Sequence, residues 1–131
     1  MIIFEPRTYA MNADVGRLKE ARDFADDAAA EFGFDTDARY QLKLAMSEAV
    51  TNAIQHGSTS AADPIWIRVA EESGALVFEV ADTGRFRPRV TRRGQLPESG
   101  RGLEFMRLLM DEVELQAGPA GTLLRFSKRK L

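Results

Sequence analysis

The sequence predicts an α+β fold: a two-layer sandwich in which a mixed, mostly antiparallel sheet carries helices on one face. Three observations point there. Two neighbouring stretches, 14–32 and 35–57, repeat apolar residues at helical spacing. Two pairs of short apolar strands follow, each pair joined by a turn containing glycine, as in hairpins. The full order is strand, two helices, two strands, helix, two strands, and that order suits helices layered on a sheet. With 131 residues, 44% of them apolar and 29% charged, the chain reads as one domain spanning 1–131, large enough to bury a core.

Residues 2–10 (IIFEPRTYA) read as a strand, and Pro6 assigns it to a sheet edge, because proline donates no backbone hydrogen bond. Asp14 is placed to cap a helix running to Phe32, with Val15, Leu18, Ala21, Ala25, Ala28 and Phe32 on its apolar side and Gly33 as its stop. Asp35 or Thr36 caps a second helix that ends at His56-Gly57. Residues 65–71 and 75–81 form a hairpin through Glu72-Ser73-Gly74. Residues 83–100 make a long loop, of the length that is functional or disordered in a small domain. A helix over 101–110 follows, then strands 112–117 and 121–128 joined by Gly118-Pro119-Ala120.

Composition narrows the functional classes. The chain has no cysteine, which excludes disulfides, thiolate metal sites and a cysteine nucleophile, and fits a cytoplasmic location. A net charge of −2 gives no reason to expect nucleic acid as the partner. Apolar runs are too short to cross a bilayer, and no basic, apolar-cored leader is visible, so no membrane association is expected. Charge is nevertheless uneven. Arg85, Arg87, Arg89, Arg92, Arg93 and Arg101 crowd one segment whose lone acid is Glu98. Such a run is either a solvated loop or a surface that meets an anion such as phosphate.

The second predicted helix holds the clearest chemistry. Leu42, Ala45, Met46, Ala49, Val50, Ala53 and Ile54 form its apolar face, and Glu48, Asn52 and His56, each four apart, form a polar stripe at the border of that face. Polar groups so near a core need partners. Neighbouring loops could supply them. Alternatively, Asn52 offers a neutral oxygen for Mg²⁺ shared with nucleotide phosphates, and Glu48 can take a proton from a nucleophile near the same phosphates. His56 reads as a helix-end residue. After the strand ending at Ala81 comes Asp82-Thr83-Gly84. This is either an ordinary turn or the floor of a pocket, where a carboxylate accepts from an exocyclic amine and glycine lets a ring lie close. Ser99-Gly100-Arg101-Gly102-Leu103 opens the third helix, as a hinge or as an anion site of free N–H groups. Neither the P-loop nor the Rossmann pattern is present. Gly121-Thr122 opens the last strand.

Taken together, Glu48-Ala-Val-Thr-Asn52, Asp82-Thr-Gly84, Gly100-Arg-Gly102 and Gly121-Thr122 resemble, in order and spacing, the N, G1, G2 and G3 boxes of the GHKL ATPases, which share the Bergerat fold. Within that superfamily, Ser47-Glu-Ala-Val-Thr-Asn-Ala-Ile-Gln-His-Gly57, Gly100-Arg-Gly-Leu103, Leu109-Met-Asp-Glu-Val113 and Gly121-Thr-Leu-Leu-Arg-Phe126 are similar to the bacterial anti-sigma factor serine kinases. The resemblance implies ATP and Mg²⁺ as cofactors. It implies Asn52 as the Mg²⁺ ligand, Glu48 as the residue that activates the substrate hydroxyl, and Asp82 as the acceptor for the adenine amine, helped by Gly84 and Thr122. Gly100, Arg101 and Gly102 would hold the phosphates, and residues 85–99 would form the ATP lid. The implied partners are a STAS-domain anti-sigma antagonist, which is phosphorylated on serine or threonine, and a sigma factor; homodimers are common in the family. The sequence departs from the family at Phe86, where D-x-G-x-G has its second glycine. That departure favours the alternative function, a non-catalytic ATP-binding module that sequesters a sigma factor or another regulatory partner. A detached histidine-kinase catalytic domain is disfavoured, because no helical hairpin carries an acceptor histidine.

Overall fold

A computed structural model describes residues 3–57, 60–83 and 98–130. Strand β1 (Arg7–Asn12) starts immediately after Pro6 and not at residue 2, since the proline ring removes a ladder donor. The residues before it do different work: Phe4 is buried edge-on to Phe32, with ring centroids 5.9 Å apart. Asp14 accepts a hydrogen bond from the Gly16 amide (2.9 Å) and caps a single 3-10 turn, Val15–Arg17, which leads into α1 (Leu18–Phe32). Val15 therefore falls outside the α-helical periodicity and is 62% exposed instead of lying on the apolar side. The rest of that side is confirmed: Ala21, Ala25, Ala28 and Phe32 are buried, as is Ala29, and Leu18 packs against the core. Gly33 ends α1 with φ +100°, a left-handed conformation that suits glycine, and its N–H meets the Ala29 and Ala30 carbonyls. Helix α2 (Thr36–Asn52) is capped by Asp35, which accepts from Ala38 N at 2.8 Å. Beyond Asn52 the chain does not continue as α-helix; Ala53–Gly57 form a π-helical turn.

Strands β2 (Pro64–Glu72) and β3 (Ala75–Asp82) form the expected hairpin. Both turn residues, Ser73 (φ 51°) and Gly74 (φ 83°), are left-handed, as a tight two-residue turn requires. Helix α3 (Glu98–Leu109) then leads to β4 (Glu112–Gly118) and β5 (Gly121–Arg129). The sheet order is β1-β2-β3-β5-β4 and every pairing is antiparallel, so the sheet is not mixed. The physical reason lies in β5. Strand β4 runs parallel to β3, as the intervening helix makes natural, but β5 returns between them and pairs antiparallel to both.

One core joins the layers. Ala21 and Ala25 of α1, Leu42, Met46 and Val50 of α2 and Met106 of α3 pack on Ile65, Ile67, Phe78, Val80, Leu124 and Phe126 of the sheet. Phe78 and Phe126 stack across β3 and β5 with centroids 5.3 Å apart. The bidentate pair Arg39–Asp26 (2.9 and 3.1 Å) ties α2 to α1 at the rim. The opposite face of the sheet carries a row of alternating charge, in which Arg68 and Arg125 both reach Glu79 and Arg125 also reaches Glu72 at 2.7 Å. Trp66 lies on that face and is 45% exposed. Among the described residues, no helix is long and apolar enough to cross a membrane.

Candidate functional site

The C-terminal half of α2 delivers two polar side chains to one place. Glu48 is half-buried, and Asn52, one turn later, is only 8% exposed. The Asn52 side-chain oxygen is fully buried and has no hydrogen-bond partner among the described residues. A carbonyl oxygen left in that state costs free energy, so its retention points to a partner that arrives from outside the chain. The π-helical turn begins at the next residue. Its winding departs from the α-helical repeat on which the Glu48–Asn52–His56 stripe is expected to continue.

The same turn packs against β3 and β5. At one end of this strand pair Asp82, the last residue of β3, stands directly opposite Thr122 of β5. Both are buried, at 6% and 4% exposure. Alternation along each strand turns both side chains toward the helical layer, in line with buried Val80 and Leu124 two residues away. Gly121 makes this pairing possible. Its φ is +144°, and a side chain there would collide with the Asp82 backbone carbonyl. The strand end can close on Asp82 only with glycine at that position. Asp82, Thr122, Gly121, Gly118 and Gln116 border an open depression of about 370 Å³. Another hollow, of about 480 Å³, lies at the far end of β5 between Gly33, Asp35, Gln41 and Lys128, and contains none of these side chains.

The third contribution comes from α3. It starts at Glu98, earlier than the expected residue 101, so Gly100 joins Arg101 and Gly102 inside its first turns. The first amides of a helix have no partner within it, and its dipole is positive at that end, so this turn remains suited to phosphate. Gly102 faces α2 at close range: a Cβ built there would stand 2.6 Å from Glu48 Oε2.

Structure thus gathers the predicted residues into two linked halves. Glu48 and Gly102 meet where α2 packs on α3, with Asn52 one turn further along α2; Asp82 and Thr122 pair at the strand ends, and the π-helical turn after Asn52 contacts both of those strands. Gly84, Phe86 and the lid segment through residue 97 lie outside the described residues. Two features escaped the sequence. The π-helical turn leaves no mark in the residue pattern. The sequence places Gly121 with Thr122 at the opening of the last strand, but the close approach of Gly121 to Asp82 depends on a strand pairing distant in sequence.

The unpaired Asn52 oxygen fits a hard divalent cation. Among the described residues no three His, Asp or Glu side chains gather as a cage. A single neutral oxygen suits Mg²⁺, which keeps its waters and binds phosphate oxygens.

Comparison with known proteins agrees with this geometry. The histidine kinase-like ATPase domain family matches residues 11–128. An anti-sigma F factor of Thermoanaerobacter sp. (strain X514) is 32% identical over 118 residues, covering 80% of this chain and 82% of that protein. The serine-protein kinase RsbW of Bacillus subtilis (strain 168) is 37% identical over 102 residues, covering 67% of this chain and 63% of that protein. Among solved structures, the RsbU and RsbW domains of Rv1364c from Mycobacterium tuberculosis superpose with a TM-score of 0.74 at 23% identity, covering 95% of this chain and 32% of that one, a likeness of fold. The chain therefore belongs to the anti-sigma factor serine kinases of the histidine kinase-like ATPase family.

Proposed function

We propose that this chain transfers the γ-phosphoryl group of ATP to a serine or threonine of a STAS-domain anti-sigma antagonist, and that it also sequesters a sigma factor. The observation that carries the reading is the buried Asn52 oxygen, without a partner among the described residues, one helical turn from Glu48 and just before a π-helical turn that contacts the two strands on which Asp82 and Thr122 pair. In this reading Asp82 accepts from the adenine amine and the Thr122 hydroxyl supports it, directly or through a water. Gly84 lets the ring lie close. Gly100, Arg101 and Gly102 hold the phosphates at the head of α3. Asn52 holds Mg²⁺, which when bound offsets phosphate charge.

Glu48 acts as the base. It takes the proton of the substrate hydroxyl as that oxygen bonds to the γ-phosphorus and the bond to the bridging oxygen of ADP breaks. The protein has little covalent chemistry to do; positioning and charge carry the step. We read the working form as a cytoplasmic homodimer. The uncovered face of the sheet, where Trp66 stays exposed, leaves surface for protein partners.

The test is incubation of the purified chain with γ-labelled ATP, Mg²⁺ and a STAS-domain protein. Label on a serine or threonine of the STAS protein is expected, and Glu48→Ala is expected to lose transfer while still binding ADP. A stable complex formed without any label transfer would instead favour the non-catalytic binder suggested by Phe86.

A further inference from the structure

Resting on the assignment of Glu48 as the base, we propose that Gly102 is a positioning residue for phosphoryl transfer: the missing side chain leaves the room into which the Glu48 carboxylate reaches. A methyl group at residue 102 would stand 2.6 Å from Glu48 Oε2 and 3.6 Å from its carboxyl carbon. Ordinary contact for a Cβ begins near 3.4 Å, so the methyl and the carboxylate cannot share the space. Among the described residues the Glu48 carboxyl group is all that this methyl would meet.

Among the described residues, backbone conformation gives no separate reason for glycine at this position. Gly33, Gly74 and Gly121 have positive φ and Gly102 does not. It lies within α3, where alanine is the better helix former. Glycine here gives up helix stability and gains space for a carboxylate on the neighbouring helix.

The collision in a Gly102→Ala variant is relieved by swinging the end of a flexible side chain, not by moving a helix. Its consequence therefore falls on chemistry and not on the fold. A base must stand within about 2.6–3.2 Å of the proton it removes. A carboxylate displaced by an ångström loses that reach, and misplacement on this scale costs roughly 10²-fold in rate. Gly102 thereby acquires a role separate from its contact with phosphates: it fixes where the base stands relative to the head of α3.

The experiment compares the parent chain with Gly102→Ala, Glu48→Ala and the double variant. Three quantities are read: label transfer to the STAS protein, ADP affinity by calorimetry, and melting temperature. Gly102→Ala is expected to melt no lower than the parent and to transfer roughly 10²-fold more slowly, a loss far larger than any change in ADP affinity that comes from its contact with phosphates. Added to Glu48→Ala, it is expected to lower residual transfer no further than any change in ADP affinity accounts for, because the group it displaces is already gone. Transfer at the parent rate by Gly102→Ala would overturn the proposal. So would a weakening of ADP binding that accounts for the lost rate, or an equal loss in both backgrounds, since either makes Gly102 a phosphate contact alone. Full transfer by Glu48→Ala is a different failure: it removes the base itself, and this inference with it.

Discussion

Replacing Asn52 with Leu is expected to make the nucleotide-free protein more stable while ending its ability to hold Mg-nucleotide. The side chain is 8% exposed, sits among buried Ala49, Val50 and Ala53, and keeps a buried oxygen with no partner among the described residues. An unsatisfied buried acceptor costs about 1–3 kcal/mol. Leucine has the same branching and no polar atom, and it is also the better helix former by a few tenths of a kcal/mol. Unfolding entropy of about 2.1 cal/mol/K per residue gives roughly 0.28 kcal/mol/K for the 131-residue chain, so each kcal/mol moves the melting temperature by about 4 °C. The expected rise is therefore roughly 4–10 °C without nucleotide. Differential scanning calorimetry of the parent and Asn52→Leu measures it, and titration with ADP and Mg²⁺ supplies the second half. A variant that melts lower than the parent shows that the oxygen is satisfied in solution. A variant that binds Mg-ADP normally shows that the oxygen was not kept for the metal.

Three further outcomes follow from the geometry. Asp82→Asn removes a charged acceptor from the strand end and is expected to weaken ADP binding by about ten- to a hundredfold, equivalent to roughly 1.5–3 kcal/mol, as read by calorimetry. Gly121→Ala forces a side chain onto the Asp82 carbonyl at a φ that disfavours it; a loss of about 2–3 kcal/mol in urea unfolding is expected, together with lost ADP binding. Asp26→Asn is expected to lower the melting temperature by roughly 2–5 °C at neutral pH. The Arg39 hydrogen bond is the main cause holding the Asp26 carboxyl below its ordinary range. Its contribution is complete above the unfolded carboxylate pKa, near 4, and disappears as pH falls through the lower folded value, so parent and variant should converge in acid.

Much of this architecture was legible in the residues. Asp35 before an apolar repeat, Gly33 after one, and Ser73-Gly74 between two strands each carry a local mechanism, and each stands where it was expected. Glu48 and Asn52 stood out in the sequence as polar residues at the border of an apolar helix face, and Asp82 as an acid at a strand end, whereas Thr122 entered only through the family resemblance. Features set by tertiary contact were not legible. The insertion of β5 between β3 and β4, which makes the sheet wholly antiparallel, depends on pairings distant in sequence. The earlier start of α3 adds Glu98, Ser99 and Gly100, and Gly100 is a poor helix former by itself. The π-helical turn after Asn52 answers to packing against the sheet and not to any residue pattern.

The borders of the sheet have a consequence for how the chain behaves in crowded solution. An outermost strand is an open template on which a foreign strand can grow. On one margin, Pro6 interrupts the donor row just before Arg7. On the other, two copies of β4 laid antiparallel about Val113 would set Glu112 against Glu114 twice over, and like charges directly opposed repel. Proline on one margin and opposed carboxylates in that register on the other both work against strand addition.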